Sequence, residues 1–212
     1  QASKNPTRVQ EKVLRSILSA NASTEYGQKY GFPDVVDHKS YISTVPICEY
    51  EDLRPYIERQ DKERVPALTS EFPCMYNQTS GTTGQPKLIP VLSQTLKDLK
   101  RSQQTFSYIQ YRMRPTAFHG SLLGLVSPPI DGYLESGTPY GSASGHIYNR
   151  MPRLTRTKYV LPDEVFAITA YEAKYYIICR LAVERDDVTY VGSANPSTFH
   201  RLLDTIRSRG NE

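Results

Sequence analysis

The feature that most constrains this chain is a run of hydroxyl residues and glycines, TSGTTGQPK at positions 79–87, which lies between two apolar segments. Glycine permits backbone conformations with positive φ and lets the main chain approach a ligand closely. Successive backbone N–H groups in such a turn form a concave anion site, and the final lysine adds a positive charge suited to phosphate. The stretch predicts a polyphosphate-binding loop, whose candidate residues are Thr79, Ser80, Gly81, Thr82, Thr83, Gly84 and Lys87.

This loop is not a Walker A loop. That motif requires a lysine directly after its second glycine, whereas Gly84 is followed by Gln85 and Pro86. Because proline fixes φ and lacks an N–H donor, we expect the loop to continue into a strand over 87–91. A second strand, over 74–78, is expected to lead into the loop. The alternative from the residues alone is an ordinary surface hairpin, since Ser, Thr and Gly are common turn residues.

Composition excludes several classes of protein. The 26 basic and 22 acidic residues give a net charge of +4, which is too small and too dispersed for a nucleic-acid surface. No apolar run approaches the roughly 18 residues of a membrane helix, and the N-terminus lacks the apolar segment of a signal peptide. We expect a cytoplasmic protein with neither a nucleic acid nor a membrane as partner.

The metal-binding and redox residues are scattered. Cys48, Cys74 and Cys179 show no metal-ligand spacing and no CxxC motif. The four histidines form no ligand pair. The sequence therefore predicts reduced, buried thiols and no metal site.

Hydrophobic periodicity predicts helices that alternate with strands. Helices are expected over 6–18, 50–59, 92–112, 162–184 and a final segment after Asn195-Pro196, with strands over 121–126 and 188–192 and a short hairpin near Tyr140. This order indicates an α/β fold with a mixed or largely parallel sheet flanked by helices. Three of these helices have an apolar face that is expected to point inward. In the first helix this face consists of Val9, Val13, Leu14, Ile17 and Leu18. In the helix over 92–112 it consists of Leu96, Leu99, Phe106, Ile109 and Met113, and in the last helix of Phe199, Leu202, Leu203 and Ile206.

A second group of candidate site residues lies after the phosphate loop. Tyr108 and Arg112 fall near the end of the longest helix. Ser193, Ala194 and Asn195 follow a strand at its carboxyl end, where ligands bind in α/β sheets. These five residues are candidates for a ligand pocket.

The order of residues at 79–87 resembles the phosphate-loop signature of the acyl-adenylate-forming superfamily, which includes firefly luciferase and the acyl-CoA synthetases. Further stretches are similar to one branch, the auxin-responsive acyl acid–amido synthetase family: NPTRVQ at 5–10, TEYG at 24–27, VPI at 45–47 with YEDL at 50–53, YYII at 175–178 and SANPS at 193–197. The resemblance implies that the chain forms part of the large N-terminal domain of an acyl-adenylating enzyme.

The resemblance also implies a reaction. Such enzymes use ATP and Mg²⁺ to adenylate a small-molecule carboxylic acid, and the amine of an amino acid then attacks the acyl adenylate. By motif position the 80–84 segment would hold the ATP phosphates and Lys87 would neutralise their charge. The five ligand-pocket candidates, at Tyr108, Arg112 and 193–195, would form the acyl pocket. Two alternatives remain open: a non-catalytic nucleotide-binding or interaction remnant, and an acyl-CoA synthetase-like ligase.

The family's adenine- and ribose-binding motifs do not occur before Glu212. We therefore expect residues 1–212 to be an incomplete N-terminal adenylation domain without the C-terminal domain, inactive alone. An apolar face left uncovered would favour self-association or contact with the remainder of the protein.

Overall fold

The computed structural model describes residues 4–79, 86–193 and 195–210 and divides into two compact units. The first unit comprises Gln1–Ser93 and Tyr133–Tyr140, and the second comprises Gln94–Gly132 and Gly141–Glu212. Each unit has its own hydrophobic core, so the units are described separately.

The described part of the first unit begins with four α-helices that pack around an aromatic core. The Tyr26 ring lies at its centre and contacts the rings of Tyr30, Phe32 and Tyr56 at centroid distances of 4.6, 6.0 and 5.3 Å. The helices are α1 (Pro6–Ala20), α2 (Glu25–Lys29), α3 (His38–Thr44) and α4 (Tyr50–Glu63), with a 3₁₀ turn at Phe32–Asp34.

Helix α1 begins as expected, since the Asn5 side chain accepts a hydrogen bond from the backbone N–H of Arg8 at 3.1 Å. Its buried face is narrower than the sequence predicts, because only Leu18 is buried and Leu14 packs beside it. The prediction that Val9, Val13 and Ile17 also face inward is wrong, since they are 38%, 53% and 54% exposed. At about 100° per residue the apolar arc of this helix spans about half its circumference, and only its Leu14–Leu18 edge meets the core.

Helix α2 contains one glycine and is followed by another, and the two have different roles. Gly27 lies inside the helix, where a Cβ atom would come within 2.1 Å of the Asn21 carbonyl oxygen. The chain leaves the helix at Gly31, whose φ of 57° lies in the left-handed region. Close packing therefore requires a glycine at position 27, and a left-handed backbone conformation favours a glycine at position 31.

A four-stranded sheet completes the first unit. Its order is β2-β1-β5-β4, where β1 is Met75–Thr79, β2 is Lys87–Val91, β4 is Gly132–Tyr133 and β5 is Pro139–Gly141. The strands expected on both sides of the phosphate loop are confirmed, as is the short hairpin near Tyr140.

The second unit contains a parallel strand pair covered by helices. Strand β3 (Ser121–Leu125) pairs with β6 (Val188–Ser193), with Leu123 opposite Val191. The helices are α5 (Ser93–Met113), α6 (Ala143–Asn149), α7 (Arg153–Arg156), α8 (Asp163–Phe166), α9 (Tyr171–Val183) and α10 (Ser197–Arg209). A parallel pair here and an antiparallel pair in the first unit confirm the mixed α/β class.

The single helix expected over 162–184 is divided into α8 and α9. Val165, Phe166 and Ile178 are all buried in one core cluster. At about 100° per residue, a straight helix would place Val165 and Ile178 about 140° apart, so the break lets both face the core. Lys174 Nζ donates to the Phe166 carbonyl at 2.9 Å and so satisfies the end of α8.

The apolar stripes of two helices are only partly buried. In α5, Leu96 is buried, whereas Phe106, Ile109 and Met113 are 54%, 50% and 72% exposed, so the expected core role of these three is wrong. In α10, Leu202 is buried between Thr198 and Thr205. The remaining residues predicted for that stripe are exposed: Phe199, Leu203 and Ile206.

The cysteines are free thiols, but only Cys179 is buried; Cys48 and Cys74 are exposed, in contrast to the expectation. Within the described ranges, no cluster of three or more His, Cys, Asp or Glu side chains is arranged for a metal ion. None of the helices in those ranges combines the length and the apolar character needed to cross a membrane.

Candidate phosphate-binding site

The phosphate motif joins the two strands of an antiparallel hairpin. The register sets Met75 opposite Val91 and ends with Thr79 opposite Lys87. The candidate residues Ser80, Gly81, Thr82, Thr83 and Gly84 lie outside the described residues, so their predicted role in binding phosphate stays a prediction.

Thr79 and Lys87, the first and last residues of the motif, lie next to the loop that connects the two strands. Thr79 and Lys87 face each other across the ladder, so their side chains lie on the same side of the sheet. Both residues are exposed. A hydroxyl and an ammonium group are thus accessible together at the point where the chain enters and leaves the motif, which fits an anionic phosphate.

Helix α4 supports the hairpin through a residue that the sequence analysis did not single out. The Tyr50 hydroxyl contacts the backbone of Leu88, and the Lys87 ammonium lies 5.5 Å from the centre of the Tyr50 ring. Tyr50 and Leu88 are 38 positions apart, so no local pattern in the sequence links them.

A buried glutamine on the same helix fixes the segment that leads into β1. Gln60 is 2% exposed. Its side-chain oxygen accepts from the backbone N–H groups of Leu68 and Thr69, both at 2.9 Å, and its amide nitrogen donates to the Thr69 hydroxyl at 2.7 Å and the Glu71 carbonyl at 3.3 Å. The amide is therefore saturated with hydrogen bonds and holds the 68–71 segment against α4.

A cavity of about 180 Å³ lies between α4 and the sheet of the first unit. Asp61 and Tyr76 line it, and the Asp61 carboxylate accepts a hydrogen bond from the Ser136 hydroxyl at 2.7 Å. Tyr76 is 1% exposed, and its hydroxyl has no hydrogen-bond partner among the described residues. Burial raises the pKa of Tyr76 above its ordinary value, and the nearby Asp61 charge raises it further. The phenol therefore stays neutral.

The candidate acyl-pocket residues occupy two places in the second unit. Tyr108 and Arg112 are exposed on α5. Ser193 is the last residue of β6, which runs one residue further than predicted. Its hydroxyl donates to Thr198 Oγ1 at 3.1 Å and accepts from the Asn195 N–H at 3.2 Å. Ala194 lies outside the described residues. The two groups lie on different elements, and their assignment to one acyl pocket stays a prediction.

The second unit also holds a cavity of about 400 Å³. Its lining comes from the 126–131 segment and from helices α6 and α8, including Tyr148 and Phe166. Among the described acyl-pocket candidates, Tyr108, Arg112, Ser193 and Asn195, none contributes to this lining.

His146, on helix α6 beside this cavity's lining, is predicted to make stability depend on pH. Its Nε2 atom is buried without a partner among the described residues, and burial, followed by the charge of Arg150, lowers the pKa of the imidazole. The unfolded chain then binds a proton at a higher pH than the folded one, so stability falls as the pH drops below about 6.5, by at most about 1.4 kcal/mol per pH unit. Urea unfolding at several pH values should show a shallower pH dependence in His146→Leu. His200→Leu, at an exposed histidine, is the matched control, and equal slopes for His146→Leu and the wild type would contradict the prediction.

Solved structures of similar shape define the class of fold. The chain superposes on a GH3.15 acyl acid amido synthetase with a TM-score of 0.79 and 22% identity, over 96% of this chain and 36% of that one. A second structure, titled as AtGH3.15 acyl acid amido synthetase in complex with 2,4-DB, gives a TM-score of 0.77 at 24% identity, with 95% and 36% covered. The fold is that of the N-terminal region of an acyl acid amido synthetase.

The family follows from the sequence comparison. The model of the GH3 family N-terminal domain matches residues 1–212, and the chain belongs to this family, as the resemblance predicted. It is 40% identical to the indole-3-acetic acid-amido synthetase GH3.4 of Arabidopsis thaliana, over 99% of this chain and 36% of the relative. It is 30% identical to the jasmonoyl–L-amino acid synthetase GH3.5 of Oryza sativa subsp. japonica, over 97% and 36%, and 29% identical to the synthetase GH3.2 of A. thaliana, over 99% and 40%. The chain thus spans well under half the length of these relatives.

Proposed function

We propose that this chain supplies the phosphate-binding part of an enzyme that adenylates a carboxylic acid with ATP and joins the acyl group to an amino acid. The observation that carries the proposal is the hairpin, which places Thr79 and Lys87 opposite each other at the two ends of the motif. The order of residues at 79–87, the pairing of Thr79 with Lys87 and the family membership all support this function.

The proposed chemistry has two steps. A carboxylate oxygen attacks the α-phosphorus of ATP, and the bond to pyrophosphate breaks. The amino-acid nitrogen then attacks the acyl carbon, the bond to AMP breaks, and the nitrogen loses a proton. In the first step, backbone N–H groups and hydroxyls of the motif, with the Lys87 ammonium, would bind and orient the phosphates and stabilise negative charge on the leaving group.

The relatives support an amine acceptor over coenzyme A, because the three compared above are named as acid-amido or amino acid synthetases. The free cysteines support a reducing compartment, and we place the reaction in the cytoplasm. The test is carboxylate-dependent exchange of ³²P-pyrophosphate into ATP by a polypeptide that carries this chain within the full family length. Exchange that requires an acid, together with amide formation that requires an amino acid, would support the proposal. Exchange followed by thioester formation with coenzyme A would replace the amide step.

Residues 1–212 by themselves are expected to bind ATP weakly and to show no exchange. The family's motifs for adenine and ribose are not found in this sequence, so binding energy from the adenosine is unavailable to orient the reacting phosphates. We expect a dissociation constant on the order of millimolar, equivalent to about −4 kcal/mol. Isothermal titration calorimetry checks the affinity, with tripolyphosphate as the control ligand, which should bind about as well as ATP. Micromolar ATP affinity with measurable exchange would show that the chain is sufficient for the first step.

A further inference from the structure

Tyr50 is joined to the backbone that follows Lys87 by two hydrogen bonds. Its hydroxyl accepts from the Leu88 N–H at 2.8 Å and donates to the Leu88 carbonyl at 3.2 Å. One side chain on α4 therefore satisfies both polar groups of one residue on the edge strand β2. These bonds fix the position of the strand immediately after the lysine.

The Tyr50 ring also lies beside two cations. The Lys87 ammonium is 5.5 Å from the ring centre, and the guanidinium carbon of Arg54 is 4.8 Å from it. Both distances lie within the range of cation–π attraction. Arg54 is held in turn by Glu51, whose carboxylate accepts two hydrogen bonds at 2.6 and 3.0 Å.

The Glu51 carboxylate interacts with both cations, Arg54 and Lys87. Hydrogen bonding to Arg54 lowers the pKa of the Glu51 carboxyl, and the Lys87 ammonium lowers it further. The carboxylate therefore stays ionised and offsets the repulsion between Arg54 and Lys87. The start of α4 is itself fixed, because the Glu49 N–H donates to the Asp52 carboxylate at 2.8 Å.

We propose that Tyr50 is a positioning residue for Lys87: its hydroxyl fixes strand β2 and its ring holds the ammonium at the mouth of the phosphate motif. The proposal rests on the phosphate role proposed above. A free lysine side chain has many rotamers and loses that freedom when it binds an anion. A lysine already restricted by the Tyr50 ring loses less, so it binds phosphate more tightly.

Two substitutions separate the two contributions of Tyr50. Tyr50→Phe keeps the ring and removes the hydrogen bonds to Leu88. Tyr50→Leu removes both. Tyr133→Leu, at a tyrosine of the same unit that is 65% exposed, is the matched control, and heteronuclear NMR spectra of residues 1–212 verify that each variant is folded.

The decisive measurement is a double-mutant cycle for tripolyphosphate binding. NMR titration at low salt measures the affinity of each variant. We expect Tyr50→Leu to weaken binding about fivefold, the effect of an exposed cation–π contact, and Tyr50→Phe to weaken it less. In a Lys87→Met background, Tyr50→Leu should have no effect, because the two residues act together. An equal loss in both backgrounds would overturn the proposal, since general damage to the fold does not require Lys87.

A second readout separates this proposal from the proposed function. The ring of Tyr50 should shift the ε-methylene resonances of Lys87 upfield, and the shift should remain in Tyr50→Phe and disappear in Tyr50→Leu. If these resonances are the same in Tyr50→Leu as in the wild type, Tyr50 does not hold Lys87 and the proposal is wrong. If the resonances move as expected but the wild-type protein binds no tripolyphosphate, Tyr50 does hold Lys87, but the proposed phosphate-binding function is wrong. The proposal that Tyr50 positions Lys87 for phosphate is then wrong as well.

Discussion

Replacing Ser80, Thr82 and Lys87 together by alanine is expected to lower carboxylate-dependent ATP–pyrophosphate exchange by at least about 10²-fold. One pre-organised group that stabilises developing charge is typically worth that much, and the triple variant removes two hydroxyls and one ammonium. Because these groups would act on the phosphates, the loss should appear at saturating carboxylic acid. The measurement is initial exchange rate against ATP concentration, in a polypeptide with the full family length.

The matched control changes the same residue types on helix α3. Lys39, Ser43 and Thr44 are all exposed there, and their triple alanine variant should exchange at close to the wild-type rate. If the motif variant kept full activity while remaining folded, the assignment of the 79–87 run to phosphate binding would be refuted.

Replacing Gln60 by methionine is expected to reduce the free energy of unfolding of the first unit by about 2–4 kcal/mol. Methionine has a similar volume but cannot accept the two hydrogen bonds from the Leu68 and Thr69 backbone. Each partly buried N–H group left without a partner costs about 1–3 kcal/mol, and the Thr69 hydroxyl and Glu71 carbonyl each lose a bond as well. Urea unfolding followed by far-UV circular dichroism measures the change.

Gln28→Met is the control for this substitution. Gln28 is exposed on helix α2 of the same unit, so the change should stay within about 0.5 kcal/mol. A similarly small effect at Gln60 would mean that water replaces the glutamine amide, and that the 68–71 segment does not depend on α4 for its position.

The hairpin around the phosphate motif could be predicted from local sequence. Pro86 separates the glycine-rich run from the apolar residues that follow, and the strand over Lys87–Val91 begins directly after it. Composition and spacing within about 15 residues were sufficient for this prediction, because a turn between two paired strands is a local structure. The residue types also gave the phosphate-binding interpretation, and the family resemblance added ATP as the ligand.

The buried faces of several helices could not be predicted in the same way. In α1 and α10 the periodicity identifies a wide apolar arc, but not which part of that arc meets a partner. Leu18 and Leu202 are buried, while Ile17 and Leu203, one position away, are about half exposed. The difference depends on which elements pack against each helix, and one helix's sequence does not contain that information. The same limit applies to Tyr50 and Gln60, whose partners lie 38 and 8–11 positions away.

The contact between Tyr50 and Leu88 has a further consequence for the edge of the sheet. Because both backbone polar groups of Leu88 point toward Tyr50, they point away from β1, and the alternation of a strand gives Pro90 the same orientation. Proline has no N–H to offer at that position. The outer side of β2 is therefore blocked at two successive outward positions, once by a tyrosine hydroxyl and once by a proline ring. An unprotected edge strand invites pairing with another chain and aggregation, and the outer side of β2 is protected against such pairing at these two positions.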